Sequence, residues 1–241
     1  MDPLSEFLPE KRLAQLLLPH NDHCLLQYYG GGLVGSAHSY IFRKRIQSIL
    51  DFLVSRGLRP RRALDLGCGS MIASYVLTKY VGCVYVGIDV LCHSDLRKYA
   101  TFAERGSDSR QSVNVVRASI YDIPLIPESF DLIIALDTLE HLQDPQRAID
   151  QIRRVSTEDA CLIVSLPLES HLQRLSRIGF RLLGKKVPLT VPYHYAGGVK
   201  GWKAMLRTLD SDWQTVRRRY SPVGLVSHLN INVLVLFRRR S

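Results

Sequence analysis

The segment Ala63-Leu64-Asp65-Leu66-Gly67-Cys68-Gly69-Ser70-Met71 constrains this chain more than any other stretch. A short apolar run from Arg62 closes on Leu66 with an acid one residue earlier. Two glycines follow, one residue apart, and a new apolar periodicity begins at Ile72, Tyr75 and Val76. This spacing predicts a strand, a tight turn and a helix. Glycines in the turn let the backbone pass close to a ligand without Cβ interference. The helix start presents N–H groups beside the positive end of its dipole. A small polar ligand is expected at this turn.

The residues around the turn narrow the ligand. A dinucleotide-binding G-x-G-x-x-G would need its third glycine at position 72, where Ile72 stands. Asp65 falls at the carboxyl end of the predicted strand, where a carboxylate can face an ammonium group. Val84-Tyr85-Val86-Gly87-Ile88-Asp89 reads as a second strand ending in an acid, about one βαβ repeat later and suited to a ribose diol. Two acids and a glycine turn together imply a nucleoside that carries a cationic amino acid.

Four segments in this order resemble the class I S-adenosylmethionine-dependent methyltransferases, and within them the type 11 group. They are Leu64-Asp65-Leu66-Gly67-Cys68-Gly69, then Gly87-Ile88-Asp89, then Ile123-Pro124 through Phe130-Asp131-Leu132-Ile133, then Leu139-Glu140-His141-Leu142-Gln143-Asp144-Pro145. The resemblance runs from about Arg62 to Pro167, less than half the chain. It implies an α/β Rossmann-like sheet of seven strands, mostly parallel with the last pair antiparallel, and helices on both faces. It also implies S-adenosylmethionine as cofactor, bound by Asp65, Gly67, Cys68, Gly69, Asp89, Val90, Ser119, Ile120 and Leu136, with Ser119 where the family often faces the adenine amino group.

Periodicity along the rest of the chain agrees with an alternating α/β order. Leu4 to Leu18 suits a short amphipathic helix stopped by Pro19, and Tyr28 to Gly35 reads as a flexible aromatic and glycine segment that could act as a lid. Ser39 to Ser55 places 41, 42, 46, 49, 50, 53 and 54 on one helical face. Further strands are expected at Ser112 to Ala118, Phe130 to Leu136 and Ala160 to Leu166. The near-continuous apolar run from Phe130 marks a strand buried on both faces. Asp144-Pro145 should start a helix that runs to Val155, with proline in its first turn. Trp202 to Leu209 reads as a helix, Trp213 to Tyr220 alternates weakly, and Asn230 to Phe237 reads as the last strand. Residues 1–60 are expected to form an N-terminal helical cap over a methyltransferase domain at 61–241.

Charge is unevenly spread over the 241 residues. Of the net +10, residues 168–241 contribute 14 Lys+Arg against 3 Asp+Glu, while residues 1–167 are nearly balanced at 18 against 19. Such asymmetry suits an anionic partner or surface, or simply a solvated basic face. Part of it lies in an insertion at 168–197 that the generic fold does not require. At helical spacing Leu168, Leu172, Leu175, Ile178, Leu182 and Leu183 share one side, and Arg174, Arg177, Arg181 and Lys185 the other. That helix could cap the substrate pocket, or lie over 168–186 in an anionic membrane interface. The triplets Arg217-Arg218-Arg219 and Arg238-Arg239-Arg240 would each divide between two strand faces, so they give no support to a nucleic-acid platform.

No apolar stretch reaches the ~20 residues of a bilayer span, and the acidic start Met1-Asp2-Pro3-Leu4-Ser5-Glu6 lacks a basic n-region. The cysteines at 24, 68, 83, 92 and 161 form no C-x-x-C pair and read as reduced, so a cytoplasmic location is expected, with peripheral membrane contact as an option. No His/Cys spacing suggests zinc, and no metal is expected.

Methyl transfer from a sulfonium centre needs little beyond placement of the acceptor and exclusion of water. A base is needed only where the acceptor must lose a proton. Candidates at the carboxyl ends of the fourth and fifth strands are Asp137, Glu140 and His141, and at the far end of the insertion His194 and Tyr195. The expected function is methylation of a small molecule, at oxygen, with a lipid-linked or sugar-containing acceptor suggested by the insertion. An RNA methyltransferase and a cofactor-binding module without activity remain open alternatives.

Overall fold

The computed structural model describes residues 32–69, 73, 77, 81–90, 112–168, 201–221 and 232–240, with the side chains of its first helix from Lys44 onward. The predicted helix at Leu4–Leu18, the insertion beyond Leu168, and with it His194 and Tyr195, lie outside these residues. Two compact units divide the chain, Met1–Arg117 and Ala118–Ser241.

In the first unit, α1 (Gly32–Ser55) leads to three parallel strands, β1 (Arg62–Leu66), β2 (Val84–Asp89) and β3 (Val113–Arg117). Ile46, Ile49, Phe52 and Leu53 recur every three or four residues along α1 and are all buried. The helix starts at Gly32, so residues 32–35 are helical rather than part of a flexible segment. Helix extension explains the difference: once downstream turns have nucleated, each added residue gains a backbone hydrogen bond, which outweighs the ~1 kcal/mol that a glycine costs against alanine. β2 lies between its partners, with Asp65 opposite Gly87 and Gly87 opposite Val115.

In the second unit, β4 (Phe130–Leu136) runs parallel to β5 (Ser156–Pro167), and β7 (Asn232–Arg239) is antiparallel to both β5 and β6 (Trp213–Ser221). The α2 helix (Pro145–Val155) begins as its sequence predicts. Asp144 accepts a hydrogen bond from the Arg147 amide at 3.1 Å, and Pro145 takes a position whose missing N–H costs nothing. Its buried side is Pro145, Ala148, Ile149, Ile152 and Val155. The α3 helix (Trp202–Leu209) buries Met205, Leu206 and Leu209.

β5 starts four residues earlier than its apolar pattern suggests. The pairing of β4 with β5 slips between Phe130, opposite Ser156, and Leu132, opposite Cys161. The polar stretch Thr157-Glu158-Asp159 thus belongs to an irregular strand start whose side chains carry no apolar signal. The β7 strand likewise runs to Arg239, past the apolar residues that mark it.

The strand order through the seven-stranded sheet is β3-β2-β1-β4-β5-β7-β6. This is the predicted Rossmann-like sheet, mostly parallel with its last pair antiparallel. β4, β5 from Ala160 onward and β7 up to Phe237 are almost continuously buried, as their Leu, Ile and Val runs require. No helix among the described residues is long and apolar enough to cross a membrane.

Candidate cofactor site

The glycine turn at the carboxyl end of β1 has the backbone its sequence calls for. Gly67 and Gly69 have φ of 67° and 48°, in the left-handed region that glycine enters without Cβ strain. The amides of Gly67 and Cys68 donate to the Ile88 carbonyl at 2.8 and 3.1 Å, and the Gly69 amide donates to Asp89 Oδ2 at 2.9 Å. The turn is thereby laced to the end of β2. Gly87 has a different role. A Cβ there would stand 2.8 Å from Cys68 Sγ and 2.9 Å from Cys68 Cβ, so the turn lies directly on a glycine of the neighbouring strand.

Asp65 and Asp89 differ sharply in environment. Asp89 is half-buried at the tip of β2. Asp65 is 4% exposed and accepts a 2.6 Å hydrogen bond from the Tyr85 hydroxyl on Oδ2. Burial drives the Asp65 carboxyl up from 3.8 to about 7, against the lowering effect of the Tyr85 hydrogen bond and with a further push from the Asp89 charge. Tyr85 is itself fully buried, and burial raises its phenol well above the usual range, helped by the charge of Asp65. Of the predicted cofactor residues, Asp65, Gly67, Cys68, Gly69 and Asp89 meet around this single turn. Val90 follows at 57% exposure, its carbonyl accepting from Arg117 Nε at 3.2 Å.

The remaining candidates sit in the second unit. Ser119 and buried Ile120 open a short turn in which Ser119 Oγ accepts from the Tyr121 amide and Ser119 bridges to Asp122. The Tyr121 hydroxyl accepts from the amides of Gln143 and Asp144 at 2.7 and 3.2 Å, and the Arg147 guanidinium lies 5.7 Å above its ring. Tyr121 thus ties the Ser119 turn to the segment that follows β4. Leu136, the last residue of β4, is half-buried, and in the single 3-10 turn that follows (Leu139–His141) Glu140 is fully buried and His141 is exposed.

Asp137 departs most from ordinary geometry. Its φ is 52°, a strained value for a residue with a side chain, at the carboxyl end of a buried strand. Its Oδ1 accepts from Ser165 Oγ at 2.8 Å and from Asn232 Nδ2 at 3.0 Å, while its amide donates to the Ser165 carbonyl at 3.1 Å. The ends of β4, β5 and β7 are joined through this one carboxylate. Ser165 and Asn232 are both fully buried.

Sequence reasoning missed Tyr85, Tyr121, Ser165 and Asn232. For Tyr85 a signal existed. The period of two along β2 puts Tyr85, Gly87 and Asp89 on one face, and parallel pairing sets Asp65 opposite Gly87, whose missing side chain leaves room for the ring to reach it. For Asn232 there was none, because its partner Asp137 lies 95 residues away.

A family model described as a methyltransferase domain matches residues 38–213. The chain belongs to this family, S-adenosylmethionine-dependent enzymes with a class I sheet. Among curated proteins it is 33% identical over 118 residues to a ubiquinone biosynthesis O-methyltransferase of Hahella chejuensis, covering 48% of this chain and 48% of that protein. It is 31% identical over 118 residues to ajmaline N-methyltransferase of Rauvolfia serpentina, covering 48% of this chain and 38% of that protein. The chain thus spans less than half the length of these two relatives. Among solved structures, the N-methyltransferase NodS of Bradyrhizobium japonicum, in complex with S-adenosyl-l-homocysteine, superposes with a TM-score of 0.62 at 18% identity, over 96% of this chain and 99% of that one. Magnesium protoporphyrin IX methyltransferase of Synechocystis, with the same ligand, gives 0.59 at 20% identity, over 88% and 91%. These two likenesses establish the fold.

Proposed function

We propose that this chain transfers a methyl group from S-adenosylmethionine to a small-molecule acceptor, at oxygen. The observation that carries this reading is the pair of carboxyl groups, Asp65 and Asp89, gathered on the Gly67–Gly69 turn. When bound, the cofactor supplies a methyl group already activated on a sulfonium centre. The residues present suit such a ligand. Asp65 offers a buried carboxyl to an ammonium group, and half-buried Asp89 offers an acceptor to ribose hydroxyls. Because the Gly67 and Cys68 amides already donate to Ile88, the turn contributes close approach, with its backbone bare of bulk, more than free N–H groups. Val90, and from the sequence resemblance Ser119, Ile120 and Leu136, are the other residues assigned to the cofactor.

An oxygen acceptor must give up a proton, and Asp137 is the group assigned to receive or orient it. Its carboxylate is braced through one oxygen by two buried side chains, which fixes it before the acceptor arrives. The ubiquinone biosynthesis O-methyltransferases of Hahella chejuensis, Dictyostelium discoideum and Coxiella burnetii support oxygen as the target atom. Nitrogen, as the ajmaline enzyme's name indicates for that protein, is the second reading. His141, exposed four residues after Asp137, and His194 are the other groups assigned to the acceptor side.

Titration calorimetry with S-adenosylmethionine tests the central claim: binding heat is expected, and its absence at millimolar ligand would overturn the reading. Asp89→Ala removes both the proposed ribose contact and the acceptor of the Gly69 amide. Its expected effect is a loss of cofactor affinity of roughly tenfold or more in the same calorimeter.

From a sequence without a C-x-x-C pair we propose a reducing, cytoplasm-like compartment, and for the basic segment 168–186 either a cap over the acceptor or contact with anionic lipid. Flotation with phosphatidylserine vesicles separates the two. If lipid holds this segment, changing Arg174, Arg177 and Arg181 to Gln should release the protein, at ~1 kcal/mol per charge. Flotation indifferent to all three changes would leave the cap.

A further inference from the structure

We propose that Tyr85 is a positioning residue for the amino-acid end of the methyl donor: its hydroxyl pins Asp65 Oδ2, so that the other carboxyl oxygen is presented to the donor's ammonium group. The inference rests on the cofactor reading above and assigns a residue outside the glycine turn. Tyr85 is fully buried and reaches Asp65 at 2.6 Å, and no other hydrogen bond reaches that carboxyl among the described residues. A carboxylate in a buried site with one oxygen held keeps a single rotamer, and the ordering that capture of a cation would otherwise demand is already done. Gly87 makes the arrangement possible. A Cβ there would meet Tyr85 Cε1 at 3.2 Å as well as Cys68, so the same missing side chain seats the ring and the turn.

The titratable groups that bear on this carboxyl are few. Tyr85 and Asp89 act on it from β2, while Cys68 from the turn and Cys83 before β2 act on the Tyr85 phenol. None of them carries positive charge. Burial therefore leaves Asp65 partly protonated near pH 7 in the free protein. An ammonium group arriving beside it favours the carboxylate, so its proton leaves to solvent as the donor binds. Below pH 7 cofactor affinity should fall about tenfold for each unit of pH, until the carboxyl of the complex itself takes up a proton. Tyr85 moderates this: its hydrogen bond stabilises the ionised form, and Tyr85→Phe should move the decline to higher pH.

The test compares two ligands by calorimetry between pH 6 and 8.5. S-adenosylhomocysteine carries the ammonium group, and 5′-methylthioadenosine has the nucleoside without it. Tyr85→Phe is expected to weaken S-adenosylhomocysteine roughly tenfold at pH 7 and to leave methylthioadenosine within about twofold. Wild type should release a proton with the first ligand alone, read from the dependence of the heat on buffer ionisation. Equal weakening of both ligands, or of neither, would overturn the role of Tyr85 while leaving the cofactor reading intact. Failure of the wild type to bind either ligand would end both. Should Tyr85→Phe not fold, Asp65→Asn, which keeps an oxygen for the Tyr85 hydroxyl, takes its place. It should abolish the proton release and the preference for the amino-acid-bearing ligand, and retention of either would overturn the inference.

Discussion

Replacing Asp65 with Asn is expected to stabilise the cofactor-free protein at pH 8 by up to about 4 kcal/mol while leaving its stability near pH 4 unchanged. The direction follows from where the proton is bound more tightly. The folded carboxyl titrates at about 7 and the unfolded one at 3.8. The folded state therefore holds a proton that the unfolded state gives up between these values. The contribution to stability is fully present below pH 3.8 and is lost as pH rises through 7. The interval corresponds to about 4 kcal/mol at 1.36 kcal/mol per pH unit. Asparagine resembles the protonated carboxyl in shape, accepts from Tyr85 through its carbonyl oxygen and cannot ionise. Denaturant unfolding of both proteins from pH 4 to 8.5 checks this: the two curves should nearly coincide at pH 4 and draw apart up to about pH 7. Parallel curves would mean that Asp65 is not held in a dry site. The same change removes the proposed anchor for the donor's ammonium group, so a gain in stability should accompany a loss of binding, the trade expected where a site holds a costly buried charge.

Gly87→Ala should be damaging although it adds one methyl group. The φ of Gly87 lies outside the left-handed region, so the penalty is steric, not conformational. The nearest atoms are Cys68 Sγ at 2.8 Å and Cys68 Cβ at 2.9 Å. The sulfur can rotate away, but the Cβ moves only with the backbone, and that backbone is the turn. Overpacking of this kind costs about 1–3 kcal/mol. The larger effect should fall on ligand binding, because the displaced residue lies between Gly67 and Gly69. A loss of S-adenosylmethionine affinity beyond tenfold is expected by calorimetry, together with lower thermal stability. Adding Cys68→Gly removes the two nearest atoms, leaves only the 3.2 Å approach to Tyr85 Cε1 and should recover part of the stability. A Gly87→Ala protein that binds the cofactor like wild type would show that the turn does not rest on β2 as tightly as these distances require.

The order of strands and helices was legible in the sequence because burial on both faces of a parallel sheet demands apolar runs, unbroken at β4 and in β5, and the strands β1, β2, β4 and β5 each stop at a polar, glycine or proline signal. The start of α2 could be read to the residue, since Asp144 and Pro145 are local chemistry and act within one turn. The edges of α1 and β5 were not legible. Helix extension back to Gly32 and a register slip near Leu132 are governed by cooperativity and by neighbours in space, which single-residue preferences do not record. The membership of the glycine turn, Asp65 and Asp89 included, followed from spacing alone.

The residues that set the behaviour of those acids came from the fold. A carboxylate two positions before a glycine is only a letter in the sequence. Its proton affinity depends on how dry its surroundings are, on the Tyr85 hydroxyl from the next strand and on the charge of Asp89, three effects that pairing of β1 with β2 brings together. The brace on Asp137 spans three strands and 95 residues of chain. Sequence by itself determined which elements form and which backbone turn can lie against a ligand, because those depend on contacts within a few residues. Only the tertiary structure decided which carboxyl is buried, which is braced and which side chain holds it, because hydrogen bonding and desolvation act through space between strands that the chain reaches by separate routes.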